Sequence, residues 1–232
     1  MLKSLLSLLL TTTIFAAEFE SVNYYSKNYL FDAQIYSVNT FVSENTLSHQ
    51  LGDFTPHLDY VQYQGLDKYK ESDFGLGSEY KLTDKLNLDI GSWYYYYYSA
   101  GDHYFEPYAS LTYDWIVSPT LYVSMITYNN TPRATISFDY NKDFNEKLHL
   151  NVRPVIGTAD YDVRYGYYGI VFGLDYNVNK NFTLFTVTEV DKPFSSPDDS
   201  IVYTYSFGIK LSLWNFLNSI WDSHYLPAHY SF

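Results

Sequence analysis

Apolar and polar residues alternate along most of this chain with a period of two. In the clearest segment the apolar positions are Leu86, Leu88, Ile90, Tyr94, Tyr96 and Tyr98, and the positions between them include Asn87, Asp89 and Gly91. The same period returns over residues 134–140 and 201–213. Successive side chains of a β-strand point to opposite faces, so the pattern predicts strands with one apolar face and one polar face.

The first 17 residues have the pattern of a secretory signal peptide. A charged start with Lys3 precedes an apolar stretch over residues 5–15, and two small residues, Ala16 and Ala17, follow it. The apolar stretch is shorter than the roughly 20 residues that a membrane-spanning helix needs. We therefore expect export of the chain and removal of residues 1–17, with cleavage after Ala16 or Ala17.

The charge balance excludes some partners. Without Lys3, the 14 basic residues become 13 against 26 acidic residues, which gives a net charge of −13 for the mature chain. Such an excess argues against nucleic acid and against anionic lipid as a partner. The sequence contains no cysteine, so it can form neither disulfides nor a thiolate metal site.

A chain that spans a membrane must pair every backbone polar group internally, and a closed barrel of strands does this. The pattern therefore predicts an all-β fold: a transmembrane antiparallel up-and-down β-barrel over residues 18–214, in the outer membrane of a Gram-negative bacterium. Alternate connections contain turn-forming residues, which predicts short periplasmic turns and longer outer loops such as 65–71, 159–166 and 191–200. Twelve strands are expected near residues 22–36, 40–48, 54–63, 72–82, 86–98, 104–117, 120–129, 133–142, 147–157, 167–178, 181–190 and 206–214; ten is the alternative, because the first two segments alternate least clearly.

The last predicted strand resembles the assembly signal that closes outer-membrane barrels. Its residues are a polar position, a glycine two residues later and alternating apolar positions before an aromatic: Ser206, Gly208, Leu211, Leu213 and Trp214. This signal implies the barrel assembly machinery as a partner. Residues 215–232 are expected to form a periplasmic extension, either a short interfacial helix or a further strand contact that ends at Phe232.

The chain has 28 tyrosines and four tryptophans, more than a soluble core could use, because each buried phenol needs a polar partner. At a membrane interface the ring lies in lipid and the hydroxyl in water, so we expect aromatic girdles. The alternative is a platform that stacks on sugar rings. The residues assigned to the girdles are Tyr94, Tyr96, Tyr98, Tyr165, Tyr168 and Trp214.

The polar face of each strand would line the interior of the barrel. Carboxylates exceed cations there, which favours cations or neutral solutes over anions. The alternative is that these charges pair across the barrel and close it. The residues predicted to line the pore are Glu79, Lys81, Asp89, Glu106, Asp114, Asp139, Arg153, Asp175 and Lys210.

No motif indicates catalysis or a bound metal. A lipid hydrolase would need a serine, a histidine and a carboxylate at one site, yet no nucleophile motif surrounds Ser99 and His103. The Asp198–Asp199 pair lies in a predicted outer loop and is more typical of a solvated turn than of a calcium site. We therefore expect no catalytic residues, no metal and no cofactor.

Residues 86–98 (LNLDIGSWYYYYY) and 104–113 (YFEPYASLTY) resemble the central part of the TorF porin family. In that family a strand with Asp-x-Gly and a run of tyrosines precedes a Tyr-x-Glu-x-Tyr strand, here Asp89 to Gly91 and Tyr104 to Tyr108. The resemblance covers residues 72–214. Residues 28–32 (NYLFD) lack the arginine of the family's opening motif. The resemblance implies an outer-membrane channel without a defined substrate.

Three hypotheses of function follow. The first is an outer-membrane porin that passes small hydrophilic solutes with a mild cation preference. The second is a structural or adhesive barrel with a closed lumen, whose outer loops bind a surface ligand. The third is a secreted β-sandwich that binds sugars through its tyrosines.

Overall fold

A computed structural model describes residues 17–31, 34–98, 100–127, 130–160, 164–194 and 200–213. These residues form twelve strands and, within the described ranges, no helix. The strands are β1 (Glu18–Phe31), β2 (Gln34–Ser48), β3 (Phe54–Gly65), β4 (Lys70–Thr83), β5 (Leu86–Tyr97), β6 (Asp102–Tyr113), β7 (Ser118–Ile126), β8 (Thr131–Asp143), β9 (Leu148–Asp160), β10 (Arg164–Asn179), β11 (Phe182–Phe194) and β12 (Val202–Leu213).

The strands form one closed barrel in which each strand pairs antiparallel with its neighbours in sequence. The ring closes at the seam, where β1 pairs with β12 from Phe19 opposite Leu213 to Ser26 opposite Ser206. A closed ring leaves no strand edge with unpaired backbone groups. The predicted twelve-stranded up-and-down barrel is confirmed, and a β-sandwich is wrong because one continuous sheet closes on itself.

The outer surface of the barrel is apolar. On β3, Leu58 is exposed while its neighbours His57 and Asp59 are buried, and on β4, Leu76 is exposed between the inward-facing Gly75 and Gly77. Outward positions on other strands are also large and apolar, including Phe74, Ile90, Phe105, Leu121, Ile136, Ile156, Phe172, Leu184, Tyr205 and Phe207. This arrangement is the reverse of a water-soluble protein, and it suits a barrel surrounded by lipid.

Across the described ranges, we find no helix with the length and apolar character needed to cross a bilayer.

The strand boundaries differ from the prediction mainly at the start of the chain. The predicted first strand, 22–36, runs through the connection between β1, which ends at Phe31, and β2, which begins at Gln34. The expected break before residue 40 lies inside β2, where Asn39 has a positive φ of 52°. Asparagine tolerates this conformation, so a local irregularity within β2 replaces the predicted turn.

The connections between strands are short at both ends of the barrel. The N-terminal end of β1 and the C-terminal end of β12 meet at one end, which we call the inner end, because barrels of this kind keep both termini in the periplasm. At the opposite, outer end the predicted loop 65–71 shortens to the four residues between Gly65 of β3 and Lys70 of β4, and β9 and β10 extend into the predicted loop 159–166, to Asp160 and from Arg164. The longest interval between strands, residues 195–201, also lies at the outer end. Most of the predicted signal peptide and all of the predicted extension 215–232 fall outside the described residues.

The interior is partly filled by side chains from the inner faces of β1, β2, β3 and β11. These side chains form a buried apolar cluster of Val22, Tyr24, Tyr29, Val42, Val61, Tyr63 and Phe185. Tyr29 and Tyr63 have ring centroids 4.4 Å apart. One side of the interior is therefore lined by packed apolar side chains.

Candidate functional site

The structure places most of the charged residues that were predicted to line the pore on the inner face of the barrel. Asp89, Glu106 and Lys210 are buried, whereas Glu79, Asp139, Arg153 and Asp175 are half-buried on alternate positions of their strands. Lys81 is exposed near the inner end of β4, where its Nζ lies 3.4 Å from Asp84 Oδ1. The pore-lining role of these residues remains a prediction.

The position of Asp114 differs from the prediction. It follows the last residue of β6 and lies, exposed, in the turn that leads to β7. Its backbone N–H donates to the Lys85 carbonyl at 2.7 Å, which joins two neighbouring turns at the inner end. The alternation continued one residue past the strand, so Asp114 belongs to the inner rim of the barrel and not to its wall.

Ion pairs bridge strands along the inner wall. Arg133 Nη1 on β8 lies 2.8 Å from Glu106 Oε1 on β6, and Lys210 Nζ on β12 lies 2.7 Å from Glu20 Oε2 on β1. Arg153 on β9 pairs with Asp139 on β8. Sequence analysis did not single out Arg133 and Glu20, although the alternation places both on the inner face.

His57 is the centre of a buried polar network that sequence analysis missed. Its Nδ1 lies 2.7 Å from Asp59 Oδ2, and its Nε2 lies 3.1 Å from Asp89 Oδ1. The Tyr108 hydroxyl donates to the other Asp89 oxygen at 3.1 Å. A Cβ at Gly77 would lie 2.5 Å from both His57 Nε2 and the Tyr108 hydroxyl, so the network needs glycine there. The network ties β3, β5 and β6 together.

Tyrosines line the inner wall as well as the outer rim. Tyr95 stacks on Tyr104 with centroids 4.6 Å apart, and Tyr97 stacks on the same ring at 5.5 Å. Tyr108 stacks on Tyr122 at 5.6 Å. The alternation contained this signal, because the positions that place Asp89 inside also place Tyr95 and Tyr97 inside.

Beside these rings on the inner wall lie three carboxylates that form what we call the outer carboxylate cluster: Glu71 and Asp73 on β4 and Glu106 on β6. Glu106 was predicted to line the pore, whereas Glu71 and Asp73 were not, because residue 71 was assigned to an outer loop and Asp73 was not selected. Strand β4 begins at Lys70, so both carboxylates belong to the barrel wall.

The predicted girdle residues that the structure describes lie on the outer surface near the outer end. Tyr94 packs against His103 with centroids 6.0 Å apart, Tyr96 packs edge-on against Tyr98 at 4.7 Å, and Tyr168 stacks on Phe194 at 6.2 Å. The Tyr165 side chain and all of Trp214 fall outside what the structure describes. The interfacial role of these residues stays a prediction.

The residues of the predicted assembly signal lie at the seam. Ser206 and Gly208 are on the inner face of β12, and Leu211 and Leu213 are exposed on its outer face. A Cβ at Gly208 would overlap the Asn23 carbonyl oxygen and Tyr24 Cβ of β1, so glycine permits the close approach of the two strands. Recognition of this strand by the assembly machinery stays a prediction.

Within the described ranges, no group of three or more histidine, aspartate and glutamate side chains is arranged to hold a metal ion. Ser99 and the Asp198–Asp199 pair fall outside the described residues.

No protein-family model matches the sequence, and no curated protein matches it. Solved structures do match. The NanC porin aligns with a TM-score of 0.56 and 11% identity over 84% of this chain and 100% of its own. The fold is that of outer-membrane porins. The KdgM porin, solved in complex with disordered oligogalacturonate, aligns with a TM-score of 0.59 and 12% identity over 84% of this chain and 99% of its own.

An outer-membrane channel from Pseudomonas putida F1 aligns with a TM-score of 0.52 and 11% identity, over 85% of this chain and 96% of its own. At these identities the likeness establishes the fold alone. Together with the closed ladder and the apolar outer surface, it identifies the chain as an outer-membrane β-barrel.

Proposed function

We propose that this protein is a porin-like channel of the outer membrane of a Gram-negative bacterium, through which small hydrophilic solutes diffuse passively with a preference for cations. The observation that carries the proposal is a closed barrel with lipid-facing apolar side chains outside and a charged wall inside. Charged side chains along the inner wall of an open channel select the solutes that pass through it.

The cation preference rests on the balance of charge along the inner wall. The basic side chains Arg133, Arg153 and Lys210 each pair with a carboxylate. Further carboxylates on the same face exceed them, namely Glu44, Asp59, Glu71, Asp73, Glu79, Asp89, Asp175, Glu189 and Asp191. An acidic wall concentrates cations and repels anions. It suits galacturonate, an anionic sugar, poorly, so we propose a different solute from the oligogalacturonate bound to the KdgM porin.

The resemblance of residues 86–98 and 104–113 to the TorF porin family supports the same class of function. From those residues alone, we propose that the chain belongs to that family. Outer-membrane lipid and the barrel assembly machinery are the proposed partners, and no catalytic step is part of the function, in keeping with the channels among the structural neighbours.

A closed lumen is the second candidate, and one observation favours it. The apolar cluster around Val22, Val61 and Phe185 occupies part of the interior, and Tyr29 is buried within it. In that case the barrel would present its outer loops to a surface ligand and pass no solute.

Conductance across a planar bilayer separates the two candidates. The purified wild-type barrel is expected to give discrete single-channel steps, and a potassium chloride gradient is expected to give a reversal potential of the sign for cation selectivity. The variants Asp175→Asn and Asp114→Asn, in the wall and at the inner rim, should each move the reversal potential toward zero. Asp175→Glu keeps the charge and should leave it unchanged.

Insertion of correctly folded barrel without any conductance step would support the closed lumen instead. Conductance with a wild-type reversal potential at zero or of the opposite sign would refute the cation preference while keeping the channel. An unchanged reversal potential in both aspartate variants would place the selectivity at other residues.

A further inference from the structure

The outer carboxylate cluster lies in the outer half of the barrel wall, close to the connection between β3 and β4. Glu71, Asp73 and Glu106 are 1%, 3% and 0% exposed, respectively. Glu71 accepts hydrogen bonds from the hydroxyls of Tyr69 and Tyr97 and shares one with Asp73. Asp73 also interacts electrostatically with Glu106 and Glu44. Several carboxylates are thus held together away from water.

The cations beside this cluster do not balance its charge. In the part of the chain that the structure describes, the ion pair made by the three carboxylates is the one between Glu106 Oε1 and Arg133. Asp73 Oδ1 and Glu106 Oε2 are buried, and none of the described residues donates a hydrogen bond to either oxygen. A buried carboxylate without a compensating charge or donor is strongly unfavourable, so the site requires either added protons or a bound cation.

Aromatic rings complete the surroundings. Asp73 is opposite Tyr95 in the ladder, and Tyr95 is in turn opposite Tyr104, so a carboxylate and two stacked rings lie side by side on the inner wall. Tyr69 and Tyr97 pack edge-on with centroids 6.2 Å apart. The rings of Tyr69, Tyr97 and Tyr104 are only half-buried, so part of each ring stays accessible beside the buried carboxylates.

This combination matches a particular class of ligand. The negative face of an aromatic ring attracts weakly hydrated organic cations such as guanidinium and alkylammonium groups, and buried carboxylates supply the opposite charge. Within the described residues the carboxylates are not arranged as a metal site, which disfavours a hard metal cation.

We propose that the outer carboxylate cluster, together with the rings of Tyr95, Tyr97 and Tyr104, binds the guanidinium or ammonium group of small organic cations as they enter the channel. The inference rests on the proposed function and adds the solute class to it. Asp73 Oδ1 and Glu106 Oε2 accept hydrogen bonds from the bound group, and the rings cover its faces.

The test measures block of single-channel current and binding to the intact barrel. Arginine amide is the probe, and glycerol and glucuronate are the neutral and anionic comparisons. Arginine amide is expected to interrupt the wild-type current at concentrations at which glycerol and glucuronate do not. In the Asp73→Asn variant, which removes a charge and keeps the size of the side chain, the blocking constant should weaken by about tenfold or more.

Asp53→Asn is the matched control, because it makes the same substitution at an exposed turn residue of the inner end, outside the barrel wall and away from the cluster. Arginine amide should block the current through this variant with the same blocking constant as for the wild type. Quenching of tryptophan fluorescence by arginine amide in detergent, where Trp93 lies on the inner face beside Tyr95, measures binding without conductance. Folding of each variant is checked by the difference in gel mobility between unboiled and boiled samples.

A conducting barrel that arginine amide neither blocks nor quenches would overturn the inference and leave the channel standing, with the cluster neutralised by protons. Equal block in the wild type and in Asp73→Asn would place the cation elsewhere. A barrel that never conducts but still binds arginine amide through Asp73 would refute the proposed function and keep the binding site. Should Asp73→Asn fail to fold, Glu71→Gln offers the same comparison.

Discussion

The ion pair between Arg133 and Glu106 gives a stability prediction that can be worked out from the structure. The two atoms lie 2.8 Å apart, and the side chains are 9% and 0% exposed. Tyr122 donates to the first oxygen of Glu106 at 3.2 Å, and the second oxygen has no hydrogen-bond donor in the described part of the chain. Glu106 therefore depends on Arg133 for most of the compensation of its charge.

The substitution Arg133→Met keeps much of the length of the side chain and removes the charge. It leaves Glu106 buried opposite no guanidinium, which is expected to cost about 3–5 kcal/mol of unfolding free energy. The double variant Arg133→Met/Glu106→Gln removes both charges, and the glutamine side chain at position 106 can still accept the hydrogen bond from Tyr122. It should recover at least about 2 kcal/mol of the loss, because an unpaired buried charge no longer remains.

Urea titration of the barrel in phospholipid vesicles, followed by tryptophan fluorescence, measures both free energies. Glu106→Gln alone completes the thermodynamic cycle, and the coupling between the two positions is read from the four proteins. A loss below about 1 kcal/mol in Arg133→Met, or a double variant no more stable than that single variant, would refute the reasoning that the charge of Glu106 needs its partner.

Three further outcomes are expected. Unboiled wild-type protein should migrate differently from boiled protein in detergent gels, because a closed ladder resists detergent until it is heated; identical migration would contradict closure at the seam. Gly208→Ala should lower the folded fraction on refolding into vesicles, since its Cβ overlaps β1, whereas Gly173→Ala, with 3.4 Å to the nearest atom, should fold normally; equal yields would remove the role of Gly208. Leu76→Arg, at a 64% exposed mid-strand position, should cost about 2–4 kcal/mol and Leu82→Arg, near a strand end, about 0–1 kcal/mol; similar costs would argue against a membrane around β4.

The fold followed from the sequence because one physical rule governs most of its length. A strand that separates lipid from a polar interior must alternate at every second residue, so the faces of β3 to β12 could be predicted from the alternation alone. The rule failed where the alternation is weak. Within β2, Asn39 introduces an irregularity. The sequence predicted a break between strands at residues 37–39, whereas the connection follows Phe31.

The inner wall could be predicted in part. Alternation placed Asp89 and Asp139 on the inner face, but it cannot say which side chains meet across the barrel. Arg133 reaches Glu106 two strands away, and this depends on the tilt and stagger of the strands, which no local pattern encodes. Asp114 was predicted to lie in the barrel wall because the alternating pattern does not show where a strand ends. The tyrosines were assigned to the interface by residue type, although Tyr95 and Tyr97 share their face with Asp89.

The contacts between β1 and β12 join residues that are almost the whole chain apart. Strand β1 can pair with β12 only after β12 has been synthesised and exported, so the barrel closes at the end of folding. Until then β1 and β12 each have an edge of unpaired backbone groups that can pair with another chain. The cell must therefore protect the open sheet from aggregation.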